Sequence, residues 1–324
     1  MVFSRRETTT RVSVGVMRAP SFLLAAASLL LFLAGCGESA DTASTTGDAG
    51  GGGIGGTGSG GTAPATTPDA AFVPKPSGAC PELVQGTISV APDGKARDVK
   101  LWISEAAKTL DGPVVFFWHG AGGSPDEAAY ALSSDVIQKI TDQGGIVAAA
   151  VHDPGAGSLP WYLSVGGTDD ADLRVMDEVL ACAIEKVGVD LRRIHSVGFS
   201  AGAMNTAQVG FRRSGYIASV VTYSGAHIGS PNVQDESNLF PAMTFHGGPN
   251  DIVIIEFQTQ TEAYVQLLKD TGHFSFICNH GKGHTVPADA RASAWQFLED
   301  HPFGASPEPY EKALPAGFPA YCSL

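Results

Sequence analysis

The hydrophobic residues of this chain alternate between strand-like and helix-like spacing from about residue 80 to residue 300. Two alternating runs, 84–91 and 99–104, are joined by Pro92-Asp93-Gly94, which predicts an antiparallel hairpin. The continuous apolar runs 113–118 and 146–151 predict strands that are buried on both faces. Similar runs predict strands at 193–197, 217–223, 242–246 and 274–278. Helical spacing predicts helices at 125–140, at 170–187, directly after residue 200, at 252–270 and at 288–299.

This order of elements predicts an α/β fold with a mostly parallel, doubly wound sheet that begins with an antiparallel hairpin. We expect a single folded domain over residues 79–324, without a large lid. The Pro-rich residues 301–324 are expected to pack on its surface, held by a disulfide from Cys322. Ligands of such sheets bind outside the carboxyl ends of the strands, so the segments that follow each strand are the places to look for chemistry.

Residues 1–78 differ in composition from the rest of the chain. Arg18, the apolar run 22–32 and Leu33-Ala34-Gly35-Cys36 resemble a bacterial lipoprotein signal over residues 1–35, with the true start expected at Met17. Cys36 would then carry the lipid. Residues 36–78 are dominated by Gly, Ser, Thr, Ala and Pro, a composition typical of a disordered tether. We therefore expect an extracytoplasmic protein, lipid-anchored to a bacterial membrane on its periplasmic or outer side, or secreted.

The charge balance narrows the range of partners. The formal net charge is −13, and removal of residues 1–35 would bring it to −16 because four arginines and one glutamate are lost. An acidic balance disfavours nucleic acid as a partner. The glycine-rich segments match neither the dinucleotide-binding pattern nor the P-loop pattern, so no cofactor is expected. We expect a monomer whose only membrane contact is the lipid at Cys36.

Cysteine usage points to an oxidising compartment. Four cysteines lie in the predicted domain, namely Cys80, Cys182, Cys278 and Cys322. An even number in a chain expected to leave the cytoplasm predicts two disulfides and leaves their pairing open. Because none of the four has Cys-x-x-Cys spacing, no metal site is expected.

The strand predicted at 193–197 runs into Gly198-Phe199-Ser200-Ala201-Gly202. This Gly-x-Ser-x-Gly pattern is typical of a sharp strand–turn–helix connection, where crowding around the serine favours residues without Cβ. The turn would expose the Ser200 hydroxyl at the carboxyl end of the strand, near the first amides of the following helix. Taken alone, the pattern also fits an ordinary glycine-rich turn, so partners for the serine are needed.

A serine hydroxyl becomes a good nucleophile only when a base accepts its proton and an acid orients that base. Asp251 follows the strand predicted at 242–246, and His284 follows the last strand. The chain order Ser, Asp, His is the one expected when this motif opens a catalytic triad. Asp251 could instead cap the next helix, and Asp235 and His280 are the competing acid and base.

A second glycine-rich turn, His119-Gly120-Ala121-Gly122-Gly123, follows the strand predicted at 113–118. Glycines let backbone amides approach a substrate closely, so the amides of Ala121 and Ala201 are candidates for an oxyanion hole. Three aromatic residues are candidates for a substrate pocket, although packing alone would also explain them: Trp161, Tyr162 and Tyr130.

In combination, the turn at 119–123, the serine motif, the Asp251 turn and Gly283-His284-Thr285-Val286-Pro287 resemble one branch of the α/β-hydrolase superfamily. It is the polyhydroxybutyrate depolymerase and feruloyl esterase-like (carbohydrate esterase family 1-like) branch, and the resemblance covers about residues 80–300. It implies the α/β-hydrolase fold and a secreted serine esterase with Ser200, Asp251 and His284 as its triad. Two positions depart from the branch, because three residues separate His-Gly from Asp251 instead of two, and Val286 replaces a tryptophan.

The resemblance therefore implies hydrolysis of carboxylic esters through an acyl-enzyme, without metal or cofactor. The expected substrates are polyhydroxyalkanoates, feruloyl or acetyl polysaccharides, or small acyl esters. A serine peptidase on the same fold and a non-catalytic binding lipoprotein of this fold are the alternatives.

Overall fold

A computed structural model describes residues 72–157 and 159–324. The predicted signal, Cys36 and nearly all of the predicted tether lie outside the described residues. Within the described part, the chain forms no helix with the length and apolar character that a membrane crossing requires.

A nine-stranded sheet forms the centre of the described region. Its strands are β1 (Gly86–Val90), β2 (Arg97–Trp102), β3 (Gly112–Trp118), β4 (Ile146–Ala150), β5 (Val189–Phe199), β6 (Ser219–Tyr223), β7 (Ala242–His246), β8 (Ser275–Asn279) and β9 (Cys322–Ser323). Their order is β1-β2-β4-β3-β5-β6-β7-β8-β9. Strands β4, β3, β5, β6, β7 and β8 run parallel, while the β1–β2 hairpin and β9 add antiparallel strands at the two edges. The predicted hairpin and parallel sheet are confirmed.

Helices cover both faces of the sheet. They are α1 (Glu127–Leu132), α2 (Ser134–Asp142), α3 (Ala171–Lys186), α4 (Ala201–Arg212), α5 (Phe257–Asp270) and α6 (Arg291–Asp300). Because successive strand residues point to opposite faces, Val114 and Phe116 of β3 pack in one core with α3, α4 and α5. Val115 and Phe117 pack in a second core with α1, α2 and α6. This explains why β3 is apolar at every position.

Two predicted helices differ from the observed ones. The helix predicted at 125–140 is divided at Ser133, whose φ of 75° ends α1 and whose hydroxyl accepts a hydrogen bond from the Val136 amide of α2. The helix predicted at 252–270 begins only at Phe257. The prediction was wrong at its start because the Phe257 amide bonds the carbonyl of Asp251, which closes residues 252–256 into a loop.

Two disulfides join distant parts of the chain, with the pairing Cys80–Cys182 and Cys278–Cys322. The first ties the segment before β1 to helix α3. The second ties the C-terminal tail to β8, so the tail forms the short edge strand β9 that the sequence did not predict. Since β8 leads directly into the segment that carries His284, this disulfide also supports the part of the chain that holds the candidate base.

Candidate active site

Ser200 occupies a strained turn between β5 and α4. Its φ is 56° and its ψ is −123°, a conformation that residues with a side chain rarely adopt. The Ser200 amide donates a hydrogen bond of 2.9 Å to the carbonyl of Tyr223, and the Ser200 carbonyl accepts one of 3.0 Å from the Met204 amide. The backbone on both sides of the serine is therefore fixed, and the hydroxyl points out from the carboxyl end of the strand.

The glycines around Ser200 are required by close backbone contacts. A Cβ on Gly202 would lie 1.9 Å from the Trp118 carbonyl oxygen, and a Cβ on Gly198 would lie 2.3 Å from the Gly202 carbonyl oxygen. Backbone atoms cannot move aside as a flexible side chain can. These contacts give a physical reason for the Gly-x-Ser-x-Gly pattern, because only glycine lets α4 start this close to β3 and β5.

The structure brings Ser200, His284 and Asp251 together. His284 Nε2 lies 2.9 Å from Ser200 Oγ, and His284 Nδ1 lies 2.7 Å from Asp251 Oδ1. With its proton on Nδ1, His284 donates to the aspartate and accepts from the serine. The competing base and acid make other hydrogen bonds. His280 Nδ1 accepts from the Lys282 amide, and Asp235 accepts from the Ser237 hydroxyl. The segment before Asp251 contains a single 3₁₀ turn, Gly248–Asn250.

Asp251 is fully buried and its second oxygen is also satisfied. Oδ2 accepts 2.8 Å hydrogen bonds from the Ser224 hydroxyl and from the Gly247 amide. Burial by itself would raise the pKa of Asp251, but the hydrogen bonds from His284, Gly247 and Ser224 outweigh it and lower that pKa. The carboxylate therefore stays ionised. Sequence reasoning missed Ser224, whose signals were its position directly after β6 and the glycine that follows it.

Two aromatic rings fix the plane of the His284 imidazole. Its ring centroid lies 4.8 Å from that of Phe199 and 4.8 Å from that of Phe257, which stacks on it at 25°. The imidazole is one-fifth exposed. It is thus held in one orientation while its Nε2 edge faces Ser200.

The glycine turn after β3 lies against the nucleophile. A Cβ on Gly120 would lie 3.3 Å from Ser200 Cβ, and Ala121 and Ala201 border the same cavity as Ser200. The Gly120 amide donates a 2.6 Å hydrogen bond to Glu127 Oε2. Burial raises the pKa of Glu127, although this hydrogen bond acts in the opposite direction. This contact was not predictable from the sequence, since Glu127 is the first residue of α1 and resembles an ordinary acidic residue at a helix start.

A cavity of about 90 Å³ opens beside Ser200. Apart from the serine itself, its lining is apolar: Ala121, Leu159, Val165, Ala201, Met204, Val253, Ile254, Ile255 and Phe257. Of these, the sequence indicated only Ala121 and Ala201, as oxyanion donors. Met204 could have been predicted as a lining residue, because it lies one helical turn after Ser200.

The three aromatic pocket candidates lie elsewhere and are not among the residues that line this cavity. Trp161 is buried, and its indole donates a 2.8 Å hydrogen bond to the His119 carbonyl. The Tyr162 hydroxyl donates to Asp153 at 3.2 Å. The Tyr130 hydroxyl lies 2.6 Å from Thr285 Oγ1. Trp161 and Tyr130 therefore support the turns that carry Ala121 and His284.

In the described residues, no group of three or more His, Cys, Asp or Glu side chains could hold a metal ion. The chemistry that this arrangement can perform is proton transfer from Ser200 to His284, with Asp251 stabilising the positive charge that results.

No protein-family model and no curated protein matches the sequence. Solved structures are similar in fold. Native pOPH aligns with a TM-score of 0.61 at 19% identity, over 78% of this chain and 96% of that one. Native sOPH aligns with a TM-score of 0.59 at 17% identity, over 78% and 97%. A thermostable esterase aligns at 0.52 and 15% identity, over 67% and 62%. Together with the sheet order and the turn at Ser200, these likenesses show that the chain has the α/β-hydrolase fold.

Proposed function

We propose that this chain is a serine esterase that hydrolyses carboxylic esters through an acyl-enzyme. The observation that carries the proposal is the hydrogen-bonded chain from Asp251 through His284 to Ser200 at the edge of an apolar cavity. The name of one similar structure, a thermostable esterase, agrees with this activity.

In the proposed acylation step, Ser200 Oγ attacks the ester carbonyl while His284 Nε2 takes its proton. The amides of Ala121 and Ala201 stabilise the oxyanion, and loss of one such donor raises a barrier by about 3–4 kcal/mol. The imidazolium is stabilised by the ionised Asp251. His284 then protonates the departing alcohol, which leaves the acyl group on Ser200.

In the deacylation step, water takes the place of the alcohol. His284 removes a proton from the water, the hydroxide attacks the acyl carbonyl, and the proton returns to Ser200 Oγ as the acid leaves. The apolar cavity supports an uncharged acyl group, because a charged one would lose hydration without gaining a polar partner. Polyhydroxyalkanoates, feruloyl or acetyl esters and simple acyl esters remain the candidate substrates.

We also propose that the protein acts outside the cytoplasm, anchored by a lipid on Cys36 and tethered by residues 36–78. The signal-like sequence supports this location. The two disulfides of the folded region support it too, because such bonds persist in oxidising compartments.

Ser200→Ala is expected to abolish hydrolysis of p-nitrophenyl butyrate, with kcat lowered by about 10⁴-fold or more, because the nucleophile is lost. Asp251→Asn should lower kcat by about 10⁴-fold through the wrong imidazole tautomer. Initial rates, with circular dichroism as a check of folding, measure both effects. The exposed serine variant Ser237→Ala is the matched control and should retain full activity.

Full turnover by a folded Ser200→Ala variant would refute the esterase mechanism. Faster cleavage of aminopeptide substrates than of esters by the wild-type chain would favour the peptidase alternative. No turnover together with no labelling of Ser200 by a fluorophosphonate would favour a binding protein.

Cys36→Ser is expected to abolish incorporation of labelled palmitate into the protein, because the lipid attachment site is removed. Labelling of cells and the intact mass of the mature wild-type chain measure this change, and Ser59→Ala within the tether is the control. Palmitate incorporation into the Cys36→Ser chain, or a mature wild-type chain without lipid mass, would contradict the anchor.

A further inference from the structure

Three consecutive aliphatic side chains stand exposed beside the Ser200 cavity. Ile252, Val253 and Ile254 are 55%, 58% and 81% exposed, and Val165, which borders the same cavity, is 59% exposed. We call these four residues the apolar lip. Scattered exposed aliphatic residues are common, but a cluster at the mouth of a cavity indicates contact with an apolar partner.

The lip is attached to the residues that hold the candidate base. Ile252, Val253 and Ile254 lie in the loop between Asp251 and Phe257. The Phe257 amide donates to the Asp251 carbonyl at 2.9 Å, and the Phe257 ring stacks on His284. Within the loop, the Val253 amide donates to the Ile255 carbonyl at 3.3 Å, and Ile252 and Glu256 form an isolated bridge. These contacts hold the loop in a compact conformation next to Asp251 and His284.

The lip is also continuous with the cavity. Val165, Val253 and Ile254 belong both to the exposed lip and to the lining that reaches Ser200, and no charged side chain belongs to that lining. An apolar surface that touches the lip would therefore meet apolar side chains before it reaches the serine hydroxyl. A small, well-hydrated ester would leave most of the lip in water.

We propose that the apolar lip adsorbs the protein to the surface of a water-insoluble, uncharged ester, so that the natural substrate is an ester in a solid or droplet phase. The turnover part of this inference rests on the proposed esterase function. The adsorption part does not, because it requires only burial of the lip against an apolar surface.

Adsorption is measured first, with tributyrin droplets separated by flotation. The protein starts at residue 37 and carries Ser200→Ala, so that the apolar run 22–32, a lipid and hydrolysis do not contribute. Adding Val253→Ser and Ile254→Ser is expected to weaken droplet binding by about tenfold or more, because two aliphatic side chains are lost from the contact. The matched control adds Val84→Ser and Leu239→Ser, which are 53% and 51% exposed and do not line the cavity. It should bind as its parent does.

Turnover is then measured with Ser200 restored. The lip variant is expected to lose about tenfold more activity on the tributyrin emulsion than on dissolved p-nitrophenyl acetate. Equal droplet binding by the lip variant and its parent, or an equal loss in the control, would overturn the proposal. A wild-type dimer that becomes monomeric only in the lip variant would also overturn it, since a second copy would then cover the lip. If the wild-type chain hydrolyses neither ester, the esterase function fails while the adsorption result still stands.

The side chain of Glu127 contacts the backbone of the turn that carries Ala121. Glu127 Oε2 accepts from the Gly120 amide at 2.6 Å, and a Cβ on Gly123 would lie 3.1 Å from the same oxygen. The carboxylate thus lies inside the turn, which is closed by a 3.0 Å bond from the Gly123 amide to the Gly120 carbonyl. With the Gly120 amide held inward, the next residue, Ala121, borders the cavity.

The structure assigns Glu127 the role of a positioning residue for the oxyanion turn, which again rests on the proposed esterase function. Glu127 orients the turn because its Oε2 accepts the hydrogen bond from the Gly120 amide. Its negative charge does not contribute, because a charge there would oppose a developing oxyanion. A glutamine, which keeps the acceptor and removes the charge, should therefore replace it, whereas an alanine should not.

Glu127→Ala is expected to lower kcat for p-nitrophenyl butyrate by about 10–100-fold with KM within about threefold, because the turn acts on the transition state. Glu127→Gln should stay within about threefold of wild type in both. Rates are taken per site labelled by a fluorophosphonate, so that unfolded protein is not counted. Asp126→Ala, which removes the neighbouring, largely exposed carboxylate, is the control and should be unchanged.

Wild-type kcat in Glu127→Ala would overturn the positioning role. A loss in Glu127→Gln equal to that in Glu127→Ala would overturn it as well, because the charge would then be what matters. Either result leaves the esterase function intact, because that function is tested separately by the Ser200→Ala variant and by turnover of the wild-type chain.

Discussion

The close approach of helix α4 to strands β3 and β5 is the constraint on which the site depends. At Gly202 the backbone of α4 comes so near the Trp118 carbonyl that no Cβ fits, and the chain can enter the helix only through a left-handed residue at Ser200. That conformation costs about 1–3 kcal/mol and persists because the surrounding backbone contacts fix it. As a result, the Ser200 hydroxyl is placed at the carboxyl end of the central strand, β5.

The parallel sheet then assembles the remaining groups. Strands β5, β6, β7 and β8 are consecutive neighbours, and the segment after each contributes one member of a continuous hydrogen-bonded network: Ser200, Ser224, Asp251 and His284. The residues are far apart in sequence but adjacent at one edge of the sheet. Each residue follows a buried strand, either directly or after a short turn. The distances between the four side chains are therefore set mainly by the spacing of the strands. A strand neighbouring β5 on its other side, β3, supplies the glycine turn with Ala121.

Strand positions and the candidate triad could be predicted from the sequence because both follow local rules. Apolar runs marked the buried strands, and Ser200, Asp251 and His284 each lie directly after one of them or in the short turn that follows it. Contacts between distant side chains could not be predicted in this way. Tertiary packing decides how the four cysteines pair and which way Trp161 and Tyr130 point. It also decides the buried contacts of Ser224 and Glu127. The segment 252–256 was assigned to a helix because its spacing fits one, yet the closure at Asp251 leaves Ile252, Val253 and Ile254 exposed as part of the apolar lip.

If the turn at Ser200 presents an activated nucleophile, an ester substrate must transfer its acyl group to that residue. The most direct measurement is to mix the wild-type chain with p-nitrophenyl butyrate, stop the reaction with acid within milliseconds, and map the acylated peptide by mass spectrometry. We expect a butyryl group on Ser200 that forms at the rate of the first released nitrophenolate and is absent from the His284→Ala variant. Turnover with the acyl group on another residue, or acylation of Ser200 at the same rate without His284, would contradict it.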